Sequence, residues 1–131
     1  MTNSLSFIDT HCHIVFNSFQ DDLDDVAERW RNAGVKNLLH ACVEPSEINA
    51  IRALADRFPE LRYAVGVHPL DTDHWEVDTL ETLRSAAVSD SRVLAIGELG
   101  LDLFRDSNLE EQLLILRPQL DLALDLNLPV I

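Results

Sequence analysis

Basic residues are scarce in this 131-residue chain: 10 Lys+Arg face 23 Asp+Glu, a formal charge of −13. That balance repels phosphate backbones. It excludes a broad basic groove for nucleic acid and leaves only local or cation-mediated contact. Cysteine is scarcer still. Cys12 and Cys42 cannot staple a disulfide scaffold, and such low usage fits a reducing, cytoplasmic setting. With 4 Gly and 5 Pro, collagen and low-complexity linkers are excluded. No apolar run reaches about 18 residues, so no membrane-spanning helix or membrane partner is expected. The opening Met1-Thr2-Asn3-Ser4 has no basic stretch leading into an apolar one, so no secretory signal is expected. Gly-rich phosphate loops and a Gly-x-Ser-x-Gly elbow are also missing.

What is present is a repeated β-α unit. Leu5–Asp9, Val35–Ala41, Arg62–Val67 and Val93–Glu98 read as near-continuous buried strands of a parallel sheet, and a fifth begins at Leu128-Pro129-Val130-Ile131. Their centres recur roughly every 30 residues, the length of a βαβ unit. Helical patterns fill the gaps. The first places Leu23, Val26, Ala27, Trp30 and Ala33 on one face and stops at Gly34, with the acidic run Asp21–Asp25 at its positive end. The second opens after Pro45, aligns Ile48, Ile51, Leu54 and Ala55, and ends before Pro59. Leu80, Leu83 and Ala87 mark the third. In the fourth, a Ser107–Glu110 capping box should start a helix burying Leu109, Leu113, Leu116, Leu120 and Leu124, with Pro118 as an expected kink. Such units build either a doubly wound sheet or a (β/α)8 barrel, and a whole barrel takes about 250 residues. Residues 1–131 are therefore read as one partial domain, the N-terminal half of something longer.

Polar residues gather where the strands end. In Asp9-Thr10-His11-Cys12-His13, strand alternation turns Asp9, His11 and His13 to one face and Cys12 to the other. Two imidazoles at that spacing can converge on one first-row cation. The third strand runs into Gly66-Val67-His68-Pro69 and the fourth into Gly97-Glu98-Leu99-Gly100-Leu101-Asp102. A carboxylate at the end of an apolar strand is costly to bury without a cation or a partner. Carboxyl ends of parallel strands are where α/β active sites lie, so these residues together indicate a metal-dependent active site. His40 reads as a satisfied core or rim histidine, His74 as solvated, and Trp30 and Trp75 as packing residues.

These three motifs, in this order and spacing, resemble the TatD family of metal-dependent deoxyribonucleases, and Leu126–Ile131 resembles the approach to that family's fifth strand. The likeness covers residues 5–131, about half of a family member. It implies an α/β fold, the first four β-α units plus the start of strand five of an amidohydrolase-type (β/α)8 TIM barrel, holding two divalent metal ions (Mg, Mn or Zn). By position, His11 and His13 would ligate the first metal and Glu98 would bridge both. His68 would act near the site or on the substrate phosphate, with Asp9 beside it, and Asp102 would order the loop after strand four; Glu98 and His68 would be the catalytic pair. The implied reaction is phosphodiester hydrolysis at single-stranded DNA ends, as a 3′ exonuclease. Further ligands would lie beyond Ile131. The chain differs from many members in carrying Val15 in place of Asp and Leu103-Phe104-Arg105 in place of an aromatic pair. Two other readings use the same residues: an amidohydrolase-superfamily enzyme acting on a non-nucleic-acid substrate, and a catalytically inert half-barrel whose open edges make it self-associate without a stable protein partner.

Overall fold

A computed structural model describes residues 5–131. Four parallel strands, β1 (Phe7–Cys12), β2 (Val35–His40), β3 (Leu61–Val65) and β4 (Val93–Ile96), lie side by side in the order β1-β2-β3-β4. Consecutive order without reversal rules out the doubly wound alternative among the described strands, because that topology needs a switch point. Val130 forms a parallel bridge to Ile96, and Ile131 N–H donates to the Ile96 carbonyl at 3.1 Å, so the expected fifth strand begins where the sequence placed it.

The helices are α1 (Leu23–Asn32), α2 (Ile48–Arg57), α3 (Thr79–Ser89) and α4 (Leu109–Leu126). In α2 the buried residues are Ile48, Ile51, Leu54 and Ala55, the face read from sequence. In α1 they are Leu23, Ala27 and Trp30, with Asp24 and Asp25 in the first turn. The core runs from these faces onto Leu38, Leu61, Tyr63, Val65 and Ile96.

Two packing expectations are overturned. β1 is exposed along nearly its whole length, with Phe7 50% and Ile8 66% accessible, because it is an edge strand with no neighbour on its outer side among the described residues. Helix α4 buries Gln112, Ile115, Gln119, Leu122 and Ala123, whereas Leu109, Leu120 and Leu124 of the expected leucine face are exposed. The helix is rotated because its two glutamines have backbone partners inside, described below. Its cap also differs from the Ser107 box: Asn108 is the N-cap, and its side chain accepts from the Glu111 N–H at 3.3 Å. Pro118 lies within the continuous α4. No helix among the described residues is long and apolar enough to cross a membrane.

At the opposite end of the sheet from the polar strand ends, Glu60 ties α1 to β3. Its Oε1 accepts from the Trp30 indole at 2.9 Å and from Arg31 Nε at 2.6 Å. The Arg31 guanidinium, helped by Trp30 and against the cost of burial, pulls the Glu60 carboxyl from 4.5 down to about 2. A carboxylate held low stabilises the fold above its unfolded value, and that stability is lost as pH falls through the folded one. Resistance to urea, followed by Trp fluorescence, should therefore fall between pH 4.5 and 2, and Glu60→Gln should flatten part of that limb. Asp90, held well below the usual carboxylate range by Arg92, supplies a remainder in the same direction. An acid limb identical in Glu60→Gln would contradict this assignment.

Candidate metal centre

Three side chains meet at the carboxyl end of the sheet. His11 Nε2 lies 3.1 Å from His13 Nε2 and 3.1 Å from Glu98 Oε2, and His13 Nε2 lies 3.2 Å from the same oxygen. His11 and His13 share a face of the β1 terminus, two residues apart, as alternation requires. Asp9 fixes that turn: its Oδ1 accepts the His11 N–H at 3.0 Å, so its carboxylate is turned to the backbone rather than into the cluster.

Glu98 arrives from the far side of the sheet. β3 and β4 close up beyond their last paired residues through two glycines: a Cβ on Gly66 would come within 2.6 Å of the Gly97 backbone, and one on Gly97 would collide with the Ile131 carbonyl. The Gly97–Glu98 peptide is cis. Gly97 N–H donates to the Val65 carbonyl at 2.9 Å and Glu98 N–H to the Cys42 carbonyl at 2.7 Å, which pins the Glu98 backbone beneath its carboxylate.

The two oxygens of Glu98 have different neighbours. Oε2 joins the histidine pair, while Oε1 lies 3.5 Å from His68 Nε2. His68 Nδ1 accepts the Leu70 N–H at 3.1 Å, so in the neutral ring the proton sits on Nε2 and faces Glu98. This leaves His68 as a donor toward Glu98 rather than a third imidazole ligand, and it is absent from the cluster of close donors formed by His11, His13 and Glu98.

The donor set fits a divalent cation. Two imidazole nitrogens and a carboxylate oxygen at 3.1–3.2 Å are all electron-pair donors when neutral or ionised, with too few protons to bond every pair. Tetrahedral Zn²⁺ with bonds of about 2.0–2.1 Å would hold its ligand atoms about 3.3 Å apart. Burial, opposed by Glu98 and assisted by His11, lowers the His13 pKa and keeps its lone pair available. His13 Nδ1 is buried with no hydrogen-bond partner among the described residues, as is His40 Nδ1 behind it, where the two rings meet edge to face at 5.9 Å.

His40 is fully buried and accepts the Val15 N–H on Nε2 at 3.1 Å, so it is a core histidine satisfied on one nitrogen only. Burial first, then His13, drives its pKa to about 4. His74 is not simply solvated, because its Nδ1 pairs with Glu44 at 2.6 Å. Cys12 faces away from the cluster, donating toward the Leu39 carbonyl at 3.6 Å, and burial with the nearby Asp9 charge pushes its thiol up to about 12, where it is no nucleophile.

Two residues that sequence reasoning passed over support the rim from below. Gln119 Oε1 accepts the Val67 N–H at 2.8 Å and its Nε2 donates to the Val67 carbonyl at 3.2 Å, one residue before His68. Gln112 Oε1 accepts the Asp102 N–H at 2.8 Å while its Nε2 donates to the Asp102 carbonyl at 3.1 Å. Asp102 in turn accepts the Phe104 and Arg105 amides at 3.2 and 3.0 Å, ordering the loop after β4. The available signal was a pair of glutamines two turns apart in a leucine-rich helix.

A family model described as TatD related DNase matches residues 8–131. The chain belongs to the TatD-related DNase family. Within it, the chain is 38% identical over 127 residues to the "uncharacterized metal-dependent hydrolase YjjV" of Escherichia coli (strain K12), covering 95% of this chain and 49% of that protein. It is 36% identical over 123 residues to the 3′-5′ ssDNA/RNA exonuclease TatD of the same organism, covering 93% of this chain and 47% of that protein. The crystal structure of E. coli YjjV, a TatD homolog, superposes with a TM-score of 0.88 at 37% identity, over 95% of this chain and 49% of that one. The chain thus spans about half the length of the curated relatives it matches.

Gln119→Leu keeps the volume but orphans the buried Val67 N–H and carbonyl. It should cost about 2–6 kcal/mol in chemical denaturation, from about 1–3 kcal/mol for each of the two unsatisfied buried groups. Hydrogen exchange at the Val67 amide should quicken more than at β2 amides. A neutral substitution would show that the clamp carries no stability.

Proposed function

We propose that this TatD-family domain is the metal-binding part of a hydrolase that cleaves phosphodiesters at the 3′ ends of single-stranded DNA. The observation that carries the reading is the meeting of His11 Nε2, His13 Nε2 and Glu98 Oε2 at the carboxyl ends of β1 and β4. The name of the TatD relative, a 3′-5′ ssDNA/RNA exonuclease, supports the substrate class. His11, His13 and Glu98 would hold the first of two divalent cations, with Glu98 shared between both. Such ions neutralise charge on phosphoryl oxygens and activate water.

The chain's own residues then have separable tasks. Asp9 holds the His11 backbone, and His13 stays neutral through burial. His68 Nε2–H faces Glu98 Oε1, orienting the carboxylate and standing ready to donate to a phosphoryl oxygen. A bound cation also resolves the charge problem, since it reverses the local field of an acidic protein where the phosphate must sit. The meeting of side chains from β1 and β4 supports a half-barrel architecture, because it requires a curled sheet. With three donors from one half of a family-length protein, turnover by residues 1–131 alone should be negligible, so release is sought with the chain in excess.

With enzyme in excess over 3′-labelled single-stranded DNA, Mg²⁺ or Mn²⁺ should bring slow release of terminal nucleotides, and EDTA should stop it. Glu98→Ala should lower the rate by more than about 100-fold, beyond the 10–100-fold typical of outer partners of a metal site. His68→Asn should fall within that 10–100-fold range while cation affinity is kept. Release that persists without Glu98 contradicts the assignment, and DNA left intact by a cation-loaded chain favours the inert half-barrel reading.

A further inference from the structure

Binding a nucleic-acid end is a problem for this chain even with a cation in place. Six of its 10 basic side chains are engaged in ion pairs: Arg29 with Asp22, Arg31 with Glu60, Arg52 with Asp90, Arg57 with Asp24, Arg84 with Asp125 and Arg92 with Asp56. Single-strand binders without a basic track must draw affinity from uncharged contacts, and base–aromatic stacking is the strongest of these.

Next to the cluster stands an aromatic ring suited to that role. Phe16, in the turn after β1, lies nearly parallel to the His13 ring, with centroids 4.9 Å apart and planes 12° from parallel. Its other face remains open, with the residue 41% exposed. The same ring lines an open cavity of about 410 Å³ formed with Val15, Asn17, Ser46, Glu47 and Ala50, between the β1 turn and the start of α2. One oxygen of Glu47 is held by a backbone amide, Oε2 accepting the Val43 N–H at 3.0 Å. Beside the Glu47 carboxylate, the wall carries the Asn17 amide and the Ser46 hydroxyl, neutral groups that can meet the donor and acceptor edge of a base.

We infer that this cavity receives the terminal base of a single-stranded nucleic acid, stacked on Phe16, while the adjoining phosphate lies at the His11–His13–Glu98 cluster. The inference rests on the nuclease reading and adds to it a subsite that selects an unpaired base. A duplex end would have to give up its last stack to enter. Phe16 is a substrate-binding residue here, and its contact with His13 links base and phosphate positions within one nucleotide.

The test uses a short phosphorothioate oligodeoxynucleotide with 2-aminopurine at its 3′ end, titrated with the chain in Mg²⁺, beside an abasic-ended oligonucleotide followed by anisotropy. Stacking should quench the 2-aminopurine, and the base-ended probe should bind about tenfold more tightly than the abasic one, the fold-change expected of one stacked base. Phe16→Leu should remove that preference, while Phe16→Trp should restore it. Ala50→Trp, which fills the cavity from α2 and leaves the Phe16 residue itself unaltered, should also remove it. Equal binding of the two probes by the wild-type chain overturns the subsite alone. Equal loss of both probes in Phe16→Leu makes Phe16 a prop for His13 and overturns it too. If neither probe binds while calorimetry shows the cation bound, the nuclease reading fails and the subsite with it.

Discussion

The site depends on the sheet being curled. Neighbouring strands are about 4.8 Å apart, so a flat four-stranded sheet would set β1 and β4 about 14 Å apart with their side chains standing perpendicular to it. Yet His11 on β1 and Glu98 just past β4 bring their ends to 3.1 Å. Only strands wrapped around a common concave side allow that approach. Every other feature of the rim either produces the curl or withstands it.

The glycine pair produces it. Side-chain-free backbone at Gly66 and Gly97 lets β3 and β4 close beyond their last paired residues, which carries Glu98 inward. Gln119 and Gln112 withstand it. Where strand pairing stops, peptide groups at Val67 and Asp102 lose sheet partners, and two buried amide side chains from α4 replace them. Burying a glutamine is unfavourable unless both ends of its amide are bonded, and here they are. The same helix therefore turns its glutamines inward and leaves Leu120 and Leu124 outside.

Much of this was legible in the residues, for physical reasons. Period and punctuation gave the β-α order, and α2 came out face for face because Pro45 and Pro59 bound a clean apolar stripe. His11, His13 and Glu98 could be picked out because polar residues at the ends of apolar strands have few structural reasons to be there. Three things were less visible. The exposure of β1 depends on which neighbours the strand has, which periodicity does not report. The rotation of α4 hinges on two glutamines whose partners lie 10 and 52 residues away. The Phe16–His13 stack joins residues three apart in an irregular turn, where no repeat exists to read.

The central claim is that His11, His13 and Glu98 form a cation site, and isothermal titration of the 131-residue chain with Zn²⁺ tests it most directly. Expected is a saturable heat whose affinity falls sharply in His13→Ala and Glu98→Ala but not in His74→Ala, whose ring pairs with Glu44 instead. No saturable binding, or binding indifferent to all three substitutions, would contradict it.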